Sequence, residues 1–349
     1  MKAFLRLVNF CLLLLLLGAT YVAFDAWHFL HTAPAQPGEE LLFDVESGAN
    51  FAKIADQLEK RGLISDAARF TLLARYKQQD SKLQAGRFKL HSGWLPGRLL
   101  EELVNGQPLL YRITVREGLS WWELAQLFER EGFIRSDDFR AVIFDPDFLR
   151  HYGIPFVNAE GFLYPDTYLL QKPDKLDKTT ARALAGRLID TFWQKSAALW
   201  PEGRRPGRDE LRTLLILASI VEKESALAAE RPRVAGVYAN RLRIKMPLQA
   251  DPTVIYGLGT HFDGNLRRSH LEDPKNLYNT YKLPGLPPGP ICSPGLASIR
   301  AALAPEQHNY LYFVAKGDGS HVFSSNLADH NIAVRQWIQH QRKQSKNQQ

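Results

Sequence analysis

Two glutamates near the end of an apolar segment are the first candidates for chemistry in this sequence. The segment 211–230 reads LRTLLILASIVEKESALAAE, and from Leu214 to Val221 it is apolar around its whole circumference, which is typical of a buried helix. Successive helical residues turn by about 100°, so Glu222 and Glu224 point about 200° apart and cannot share one site. Glu224 falls on the apolar arc, whereas Glu222 falls near its edge.

The position of Glu224 is suited to general acid catalysis. A carboxyl group at the end of a buried helix is partly desolvated, which raises its pKa and favours the protonated form near neutral pH. A protonated carboxyl is what a general acid requires. The alternative is a structural ion pair with Arg231, Arg233 or Arg241, since ion pairs also perturb acids. The helix alone leaves both interpretations open.

Several other kinds of site are excluded by residue type and spacing. The two cysteines, Cys11 and Cys292, are far apart, and there is no CxxC motif or Cys/His cluster. Lys223 lies between two glutamates, but no phosphate-binding glycine-rich loop accompanies it, which argues against a pyridoxal phosphate enzyme. We therefore predict no cofactor. We also predict no metal, because the histidines of the second half do not have the spacing of metal ligands. They are His261, His270, His308, His321 and His330.

The composition predicts a packed protein of two or three domains. The chain has 349 residues, of which 45% are hydrophobic and 23% are charged. The net charge is +7, but Lys and Arg form no dense stripe outside the last ten or so residues. We therefore predict no nucleic acid partner, because proteins normally bind nucleic acids through a basic patch.

The N-terminus predicts a membrane anchor. Eighteen residues without a charge separate Arg6 from Asp25, which is close to the minimum for a membrane-spanning helix. The positive-inside rule places the N-terminus in the cytoplasm and the rest of the chain outside. We assign 1–6 to a cytoplasmic tail, 7–27 to the transmembrane anchor, with Trp27 at the interface, and 28–40 to a linker. A cleaved signal peptide is the alternative, but the small residues Ala33 and Ala35 follow the apolar run at too great a distance.

A repeat follows the linker. Residues 43–64 (FDVESGANFAKIADQLEKRGLI) and 113–134 (ITVREGLSWWELAQLFEREGFI) align at an offset of 70 residues. Each copy predicts a short strand, a turn at a glycine and an amphipathic helix that ends at a C-cap glycine. This order resembles the opening of a LysM-type carbohydrate-binding module, although two packing units would give the same pattern. The identical pairs are Val45/Val115, Gly48/Gly118, Ala55/Ala125, Glu59/Glu129, Gly62/Gly132 and Ile64/Ile134.

The predicted class is α+β: an N-terminal transmembrane helix, a LysM-like region at 41–150 and a mixed α+β catalytic domain at 151–345 around the buried helix. In the first region a strand and a helix from Leu95 to Asn105 follow the first repeat. In the second we predict helices at 179–199, 209–229 and 231–242, a β-hairpin within 310–326 and a final helix at 327–341. Segment 246–295 is predicted to consist mostly of loops, which is unusual unless the loops are functional.

Several motifs in the second half occur together in one family. They are EGFLYPDTY (160–168), ASIVEKES (218–225), AERPRVAGVYANRLRIKMPLQADPTVIYGLG (229–259), YNTYKLPGLPPGPICSPG (278–295) and LYFVAKGDGSHVFSSNLADHN (311–331). Together with the anchor, they resemble the YceG-like family of endolytic murein transglycosylases. The match is dense in 158–331, and the first 110 residues match only in pattern. Ser225, Pro247 and Ala250 depart from the family pattern, and none is the acid.

The resemblance implies a lyase that cleaves bonds between MurNAc and GlcNAc within peptidoglycan strands and can terminate strand elongation. Glu224, the second glutamate of ASIVEKE, would protonate the leaving oxygen. Its carboxylate would then deprotonate the sugar's own C6 hydroxyl, which closes a 1,6-anhydro ring. One carboxyl suffices because the nucleophile belongs to the substrate, whereas many glycoside hydrolases need two. The resemblance also implies an inner-membrane location with a periplasmic catalytic domain, and association with peptidoglycan synthases (penicillin-binding proteins).

Further polar residues are candidates for the same cleft. Asp251 is either a second carboxylate or the start of an Asx-type turn before Pro252. Glu160 and Asp166 are expected to pin loops, although Glu160 could also line the cleft. Residues with aromatic faces or amides suit sugar rings, and each could equally be structural: Gln249, Tyr256, Asn279 and Tyr281.

Two other functions fit parts of the pattern. A non-catalytic peptidoglycan-binding scaffold would need only the repeated units. A lysozyme-like hydrolase would need a second carboxylate at a defined distance from the first.

Overall fold

The computed structural model describes residues 2–46, 48–200, 204–225 and 227–347, and they form two compact units. The first unit contains 1–112 and 169–174, and the second contains 113–168 and 175–349. Ala226, inside the helix predicted for 209–229, lies outside the described residues.

One long helix, α1 (Lys2–His31), begins the first unit. Its segment Phe4–His31 is long and apolar enough to cross a membrane, a description that a signal sequence would also meet. The helix continues past Trp27 into the segment that was assigned to the linker, and Phe29 is buried in the core of the first unit.

Most of the rest of the first unit is a two-stranded sheet with three helices, and residues 110–112 and 169–171 add parts of a second strand pair. Strands β1 (Glu40–Val45) and β2 (Gly86–His91) pair antiparallel, with Phe43 opposite Phe88. Side chains alternate across the strands, so Phe43, Val45, Phe88 and Leu90 all face the core. The helices are α2 (Phe51–Lys60), α3 (Ala67–Tyr76) and α4 (Pro96–Asn105), and the last confirms the helix predicted there.

Both copies of the repeat form the predicted strand and helix. The second copy supplies β3 (Leu110–Thr114), which pairs with β4 (Thr167–Gln171), and α5 (Trp121–Arg130). Helices α2 and α5 each end just before a glycine with a left-handed backbone, Gly62 (φ 68°) and Gly132 (φ 69°) respectively. Glycine is favoured at such a position because a Cβ atom would clash there.

The second unit is mainly helical. All four of its predicted helices are confirmed, and the strands β5 (Tyr312–Ala315) and β6 (His321–Ser324) form the predicted hairpin. Its helices in chain order after α5 are α6 (Ser136–Ile143), α7 (Pro146–Tyr152), α8 (Lys178–Ser196), α9 (Arg208–Glu224), α10 (Arg231–Arg243), α11 (Asp251–Leu258), α12 (Arg268–Glu272), α13 (Leu296–Leu303) and α14 (Leu327–Asn347).

Helix α9 is the centre of the second unit, and it packs against α10, α11 and α13. Its residues Leu214 to Val221 are all buried, which confirms the prediction from their apolar pattern. The helix ends at Glu224, five residues before the predicted end. It ends because Ser225 has an extended backbone (φ −117°, ψ 113°) and its hydroxyl donates to the carbonyl of Leu227 at 2.9 Å.

Segment 246–295 contains two short helices as well as loops. Helix α11 begins at Asp251 with Pro252 in its first turn, where proline is well tolerated because its missing N–H has no partner to lose. The prediction of an Asx-type turn at Asp251 is therefore replaced by a helix start. Short helices of five to eight residues give little periodicity, which is why the sequence did not reveal them.

The left-handed glycine gives a test of the first unit. Substitution of Gly62 by alanine should cost about 1–2 kcal/mol because the new Cβ is strained at positive φ. Such a cost corresponds to a roughly 5–30-fold loss of amide protection in α2, measured by hydrogen exchange of the full chain. Gly97→Ala is the matched control, since Gly97 lies in the first turn of α4 without positive φ and its Cβ would meet open space. Equal protection in both variants would contradict this assignment.

Candidate active site

Glu224 is the last residue of α9, and its side chain is half-buried. Burial raises the pKa of this carboxyl to about 7. A hydrogen bond with Tyr238 and the positive charge of Arg241 lower the pKa, and the negative charge of Asp251 raises it. Burial has the largest effect, so near neutral pH the protonated and ionised forms are both well populated. A group in this state can give up a proton and take one back.

The arginines that were considered as ion-pair partners of Glu224 have other roles. Arg231 contacts Glu222 at 3.0 Å, and Arg233 contacts Glu306 at 2.9 Å. Within the described ranges, no Lys, Arg or His nitrogen lies within salt-bridge distance of the Glu224 carboxylate. The structure therefore gives no support to a structural ion pair at Glu224.

Arg241 lies one turn after Tyr238 on α10 and is buried. Its Nε donates to the carbonyl of Leu311 at 2.7 Å, and its Nη1 donates to the carbonyl of Leu248 at 2.6 Å. The guanidinium thus joins α10 to the segments that contain Leu248 and Leu311. Its charge lowers the pKa of Glu224 through space and without an ion pair.

Glu222 serves a different cluster, as the helical geometry predicted. Its Oε2 accepts from the backbone N–H of Gly295 at 2.8 Å, and its Oε1 accepts from Arg231 at 3.0 Å. Gly295 is the N-cap of α13, so Glu222 joins the ends of α9, α10 and α13. Burial raises the pKa of Glu222. A charge this well fixed by two donors has a positioning role, because it holds the end of α9 in place.

Asp251 and Tyr281 lie beside Glu224. The hydroxyl of Tyr281 donates to Oδ1 of Asp251 at 2.5 Å. Burial raises the pKa of Tyr281, and the charges of Asp251 and Glu224 raise it further. Gln249, two residues before Asp251, is exposed and has a left-handed backbone (φ 51°). Its N–H donates to the carbonyl of Thr280 at 3.1 Å, which ties the two loops together.

Asn279 is buried, and its amide supports the loop before Tyr281. The Nδ2 group donates to the carbonyl of Asp273 at 2.7 Å and to that of Leu271 at 3.1 Å. Its Oδ1 accepts from the N–H of Tyr281 at 3.0 Å. Because both donors and the acceptor already have partners, this side chain holds Tyr281 in position.

Tyr256 belongs to a separate aromatic cluster. Its ring centroid lies 4.9 Å from that of Trp122 and 4.8 Å from that of Tyr278. Burial raises the pKa of Tyr256, and the charge of Glu160 raises it further. All three residues are half-buried.

Glu160 and Asp166, which come earlier in the chain, hold backbone N–H groups in place, as expected. Glu160 is fully buried, and its Oε2 accepts from the N–H of Trp121 at 2.9 Å at the start of α5. Burial raises the pKa of Glu160 to about 8. Asp166 accepts from the N–H of Thr167 at 2.8 Å and pairs with Lys195 at 2.8 Å.

Tyr238 was missed in the sequence, and Arg241 was considered there only as an ion-pair partner of Glu224. Both lie on the buried face of α10, among Val234 and Val237. Two polar side chains on an apolar helix face, one turn apart, are the signal that could have revealed them. Among the described residues, no group of three or more His, Cys, Asp or Glu could hold a metal ion.

A sequence profile of the YceG-like family matches residues 43–336, a range that contains Glu224 and every residue of the cluster around it. The chain belongs to the YceG-like family. The endolytic murein transglycosylase of Bacillus subtilis (strain 168) is 31% identical over 314 residues, which cover 84% of this chain and 84% of that protein.

Two further relatives fit this assignment. The endolytic murein transglycosylase of Streptococcus pneumoniae (strain ATCC BAA-255 / R6) is 28% identical over 84% of this YceG-like chain, which spans 58% of that protein. The crystal structure of a YceG-like protein from Listeria monocytogenes superimposes with a TM-score of 0.54 at 28% identity. That match covers 84% of this chain and 98% of the Listeria chain.

The contact with Tyr238 predicts how the carboxyl of Glu224 titrates. Tyr238→Phe removes the hydrogen bond that lowers the pKa of Glu224, so that pKa should rise above about 7. The change is measured by NMR titration of the carbon-labelled glutamate side chains, with the signal assigned through Glu224→Gln. Tyr256→Phe is the control, because Tyr256 contacts Glu160 and should leave the Glu224 titration unchanged. A fall in the pKa in the Tyr238 variant would contradict the described geometry.

Proposed function

We propose that this chain is an endolytic murein transglycosylase in which Glu224 acts first as the acid and then as the base. The relatives that match most of the chain carry this name. The observation that carries the proposal is the state of Glu224: half-buried, without a salt-bridge partner among the described residues, and with a pKa raised to about 7.

The proposed reaction begins with the protonated carboxyl. Glu224 donates its proton to the glycosidic oxygen between MurNAc and GlcNAc as that C–O bond breaks. The resulting carboxylate accepts the proton of the C6 hydroxyl on the same MurNAc, and O6 forms a bond to C1. The products are a 1,6-anhydro end and a free hydroxyl on the GlcNAc. Glu224 is protonated again and no water is consumed.

A pKa near 7 suits both steps. A much lower value would leave too little of the protonated form for the first step, and a much higher value would make the carboxyl a weak proton donor to the leaving oxygen. Asp251 helps to keep the pKa high through its charge. We assign Asp251 and Tyr281 to positioning and substrate contact, because Tyr281 already donates to Oδ1 of Asp251 at 2.5 Å. Gln249, exposed on the neighbouring loop, is proposed as a further contact to the sugar.

The first unit supports a glycan-binding role. Strand β1, helices α2 and α3 and strand β2 follow one another in the order strand, helix, helix, strand, and the two strands are antiparallel. This order supports the proposed LysM-like module. The boundaries predicted from the sequence, 41–150 for that region and 151–345 for the catalytic domain, stay proposals, as does association with peptidoglycan synthases.

Helix α1 is proposed to anchor the chain in the inner membrane. Lys2 and Arg6 precede its charge-free stretch and Asp25 follows it. This charge order supports a cytoplasmic N-terminus and a catalytic unit on the periplasmic side, where peptidoglycan lies.

The direct test is digestion of purified murein with the full chain and with Glu224→Gln, followed by mass spectrometry. Loss of a general acid costs roughly 10²–10⁴-fold in rate, so anhydro-ended fragments should fall by at least that factor in the variant. Glu306→Gln is the matched control, because Glu306 forms only a surface pair with Arg233, worth at most about 1 kcal/mol.

Other outcomes point to the other functions. Reducing-ended fragments from the unmodified chain would indicate a lysozyme-like hydrolase. Intact murein with the unmodified chain would leave only the binding scaffold.

A further inference from the structure

A groove lies between the last turns of α1 and helix α3 in the first unit. Its volume is about 400 Å³, and its walls include Val22, Ala26, Phe29, Leu72, Leu73 and Tyr76. One ion pair crosses it, with Arg69 at 2.9 Å from Asp25. The groove is part of neither the candidate active site nor the repeat, and the proposed reaction gives it no role.

The last turns of α1 pack into the core of the first unit. The helix runs without a break to His31, and Phe29, only 4% exposed, is part of the hydrophobic core that contains Phe43 and Leu100. The pair of Asp25 with Arg69 fixes α3 against the same end of α1. The first unit is therefore held by the anchor helix itself.

The position of α3 relative to the bilayer follows from the length of the charge-free stretch of α1. The eighteen charge-free residues before Asp25 extend about 27 Å along a helix, which nearly fills a hydrocarbon core of about 30 Å. Asp25 must then lie at the outer edge of the hydrocarbon, and the residues from there to His31 cross the headgroup layer. Because Arg69 of α3 pairs with Asp25 and Leu72 lines the same groove, the outer face of α3 lies at the same level.

The outer face of α3 has the composition of an interfacial helix. Leu72 is 64% exposed and Tyr76 is 88% exposed, next to the exposed basic residues Arg75 and Lys77. Tyrosine is enriched at membrane interfaces, and basic side chains attract anionic headgroups. The groove also opens onto the lipid-facing surface of α1, where Val22 is 65% exposed. This continuity favours lipid over a protein as the occupant.

We propose that the groove between α1 and α3 is a phospholipid site. An acyl chain of the outer leaflet packs against Val22 and Leu72, and Arg75 and Lys77 contact its headgroup, so that α3 lies in the membrane interface. The inference rests on the proposed anchoring by α1. It adds a second membrane contact that fixes the first unit at the bilayer surface.

The test uses the full chain, one copy per nanodisc of phosphatidylethanolamine and phosphatidylglycerol. Cys11→Ala removes the exposed cysteine, and the buried Cys292 is kept. A nitroxide is attached at Leu72→Cys or, in a second variant, at Tyr76→Cys. The accessibility of the nitroxide to oxygen, which concentrates in lipid, is compared with its accessibility to a water-soluble nickel chelate.

Two reference sites separate the possible failures. At both α3 positions the ratio of oxygen to chelate accessibility should be lower than the ratio at Leu14→Cys, which lies in the middle of the charge-free stretch of α1. It should exceed several-fold the ratio at Lys53→Cys, an exposed position on α2 that pairs with Glu46. A lipid-like ratio at position 14 with water-like ratios at 72 and 76 would overturn the lipid site and leave the anchor intact.

Two further results would also count against the proposal. A water-like ratio at position 14 would overturn the anchoring, and the lipid site with it, without bearing on the cleavage of murein. Protection of both α3 labels from oxygen and chelate alike would indicate a protein occupant.

Discussion

The desolvation of one carboxyl group, at the point where a buried helix ends, is the constraint on which the second unit depends. The carboxyl of Glu224 has a pKa raised from 4.5 to about 7. At neutral pH this difference costs about 3 kcal/mol of folding free energy, at about 1.4 kcal/mol per pKa unit. The cost grows as the pH rises from the unfolded pKa to the folded one, because only the unfolded chain then ionises freely. Packing of α9 against α10, α11 and α13 must offset it.

The position of Glu224 depends on its neighbour two residues earlier. Glu222 accepts from Gly295 and Arg231, and so fixes the last turn of α9 against the starts of α13 and α10. Because the two side chains point to different sides of the helix, a buried charge can hold the helix end without occupying the site. Glu160 is a second carboxyl whose pKa is raised by burial, but its surroundings differ from those of Glu224. Its pKa is raised to about 8, but it is fully buried and pins the N–H of Trp121.

The sequence predicted the features that depend on local pattern. The apolar circumference of α9 predicted its burial, the helical angle predicted the separation of Glu222 from Glu224, and the repeat predicted two strand and helix pairs. The end of α9 could not be predicted, because it depends on the extended backbone of Ser225. Tyr238 was missed for a related reason: its contact with Glu224 is made between separate helices, and a single sequence does not show which helices pack together.

The central claim is that one carboxyl group performs both proton transfers and that the attacking oxygen comes from the substrate. Digestion of murein in water enriched in oxygen-18, followed by mass spectrometry of the new chain ends, tests it most directly. The account predicts anhydro ends that contain no oxygen-18, since no water enters the reaction. Incorporation of one oxygen-18 atom at each new reducing end would contradict it, because water would then be the nucleophile and a second group, with Asp251 the first candidate, would have to activate it.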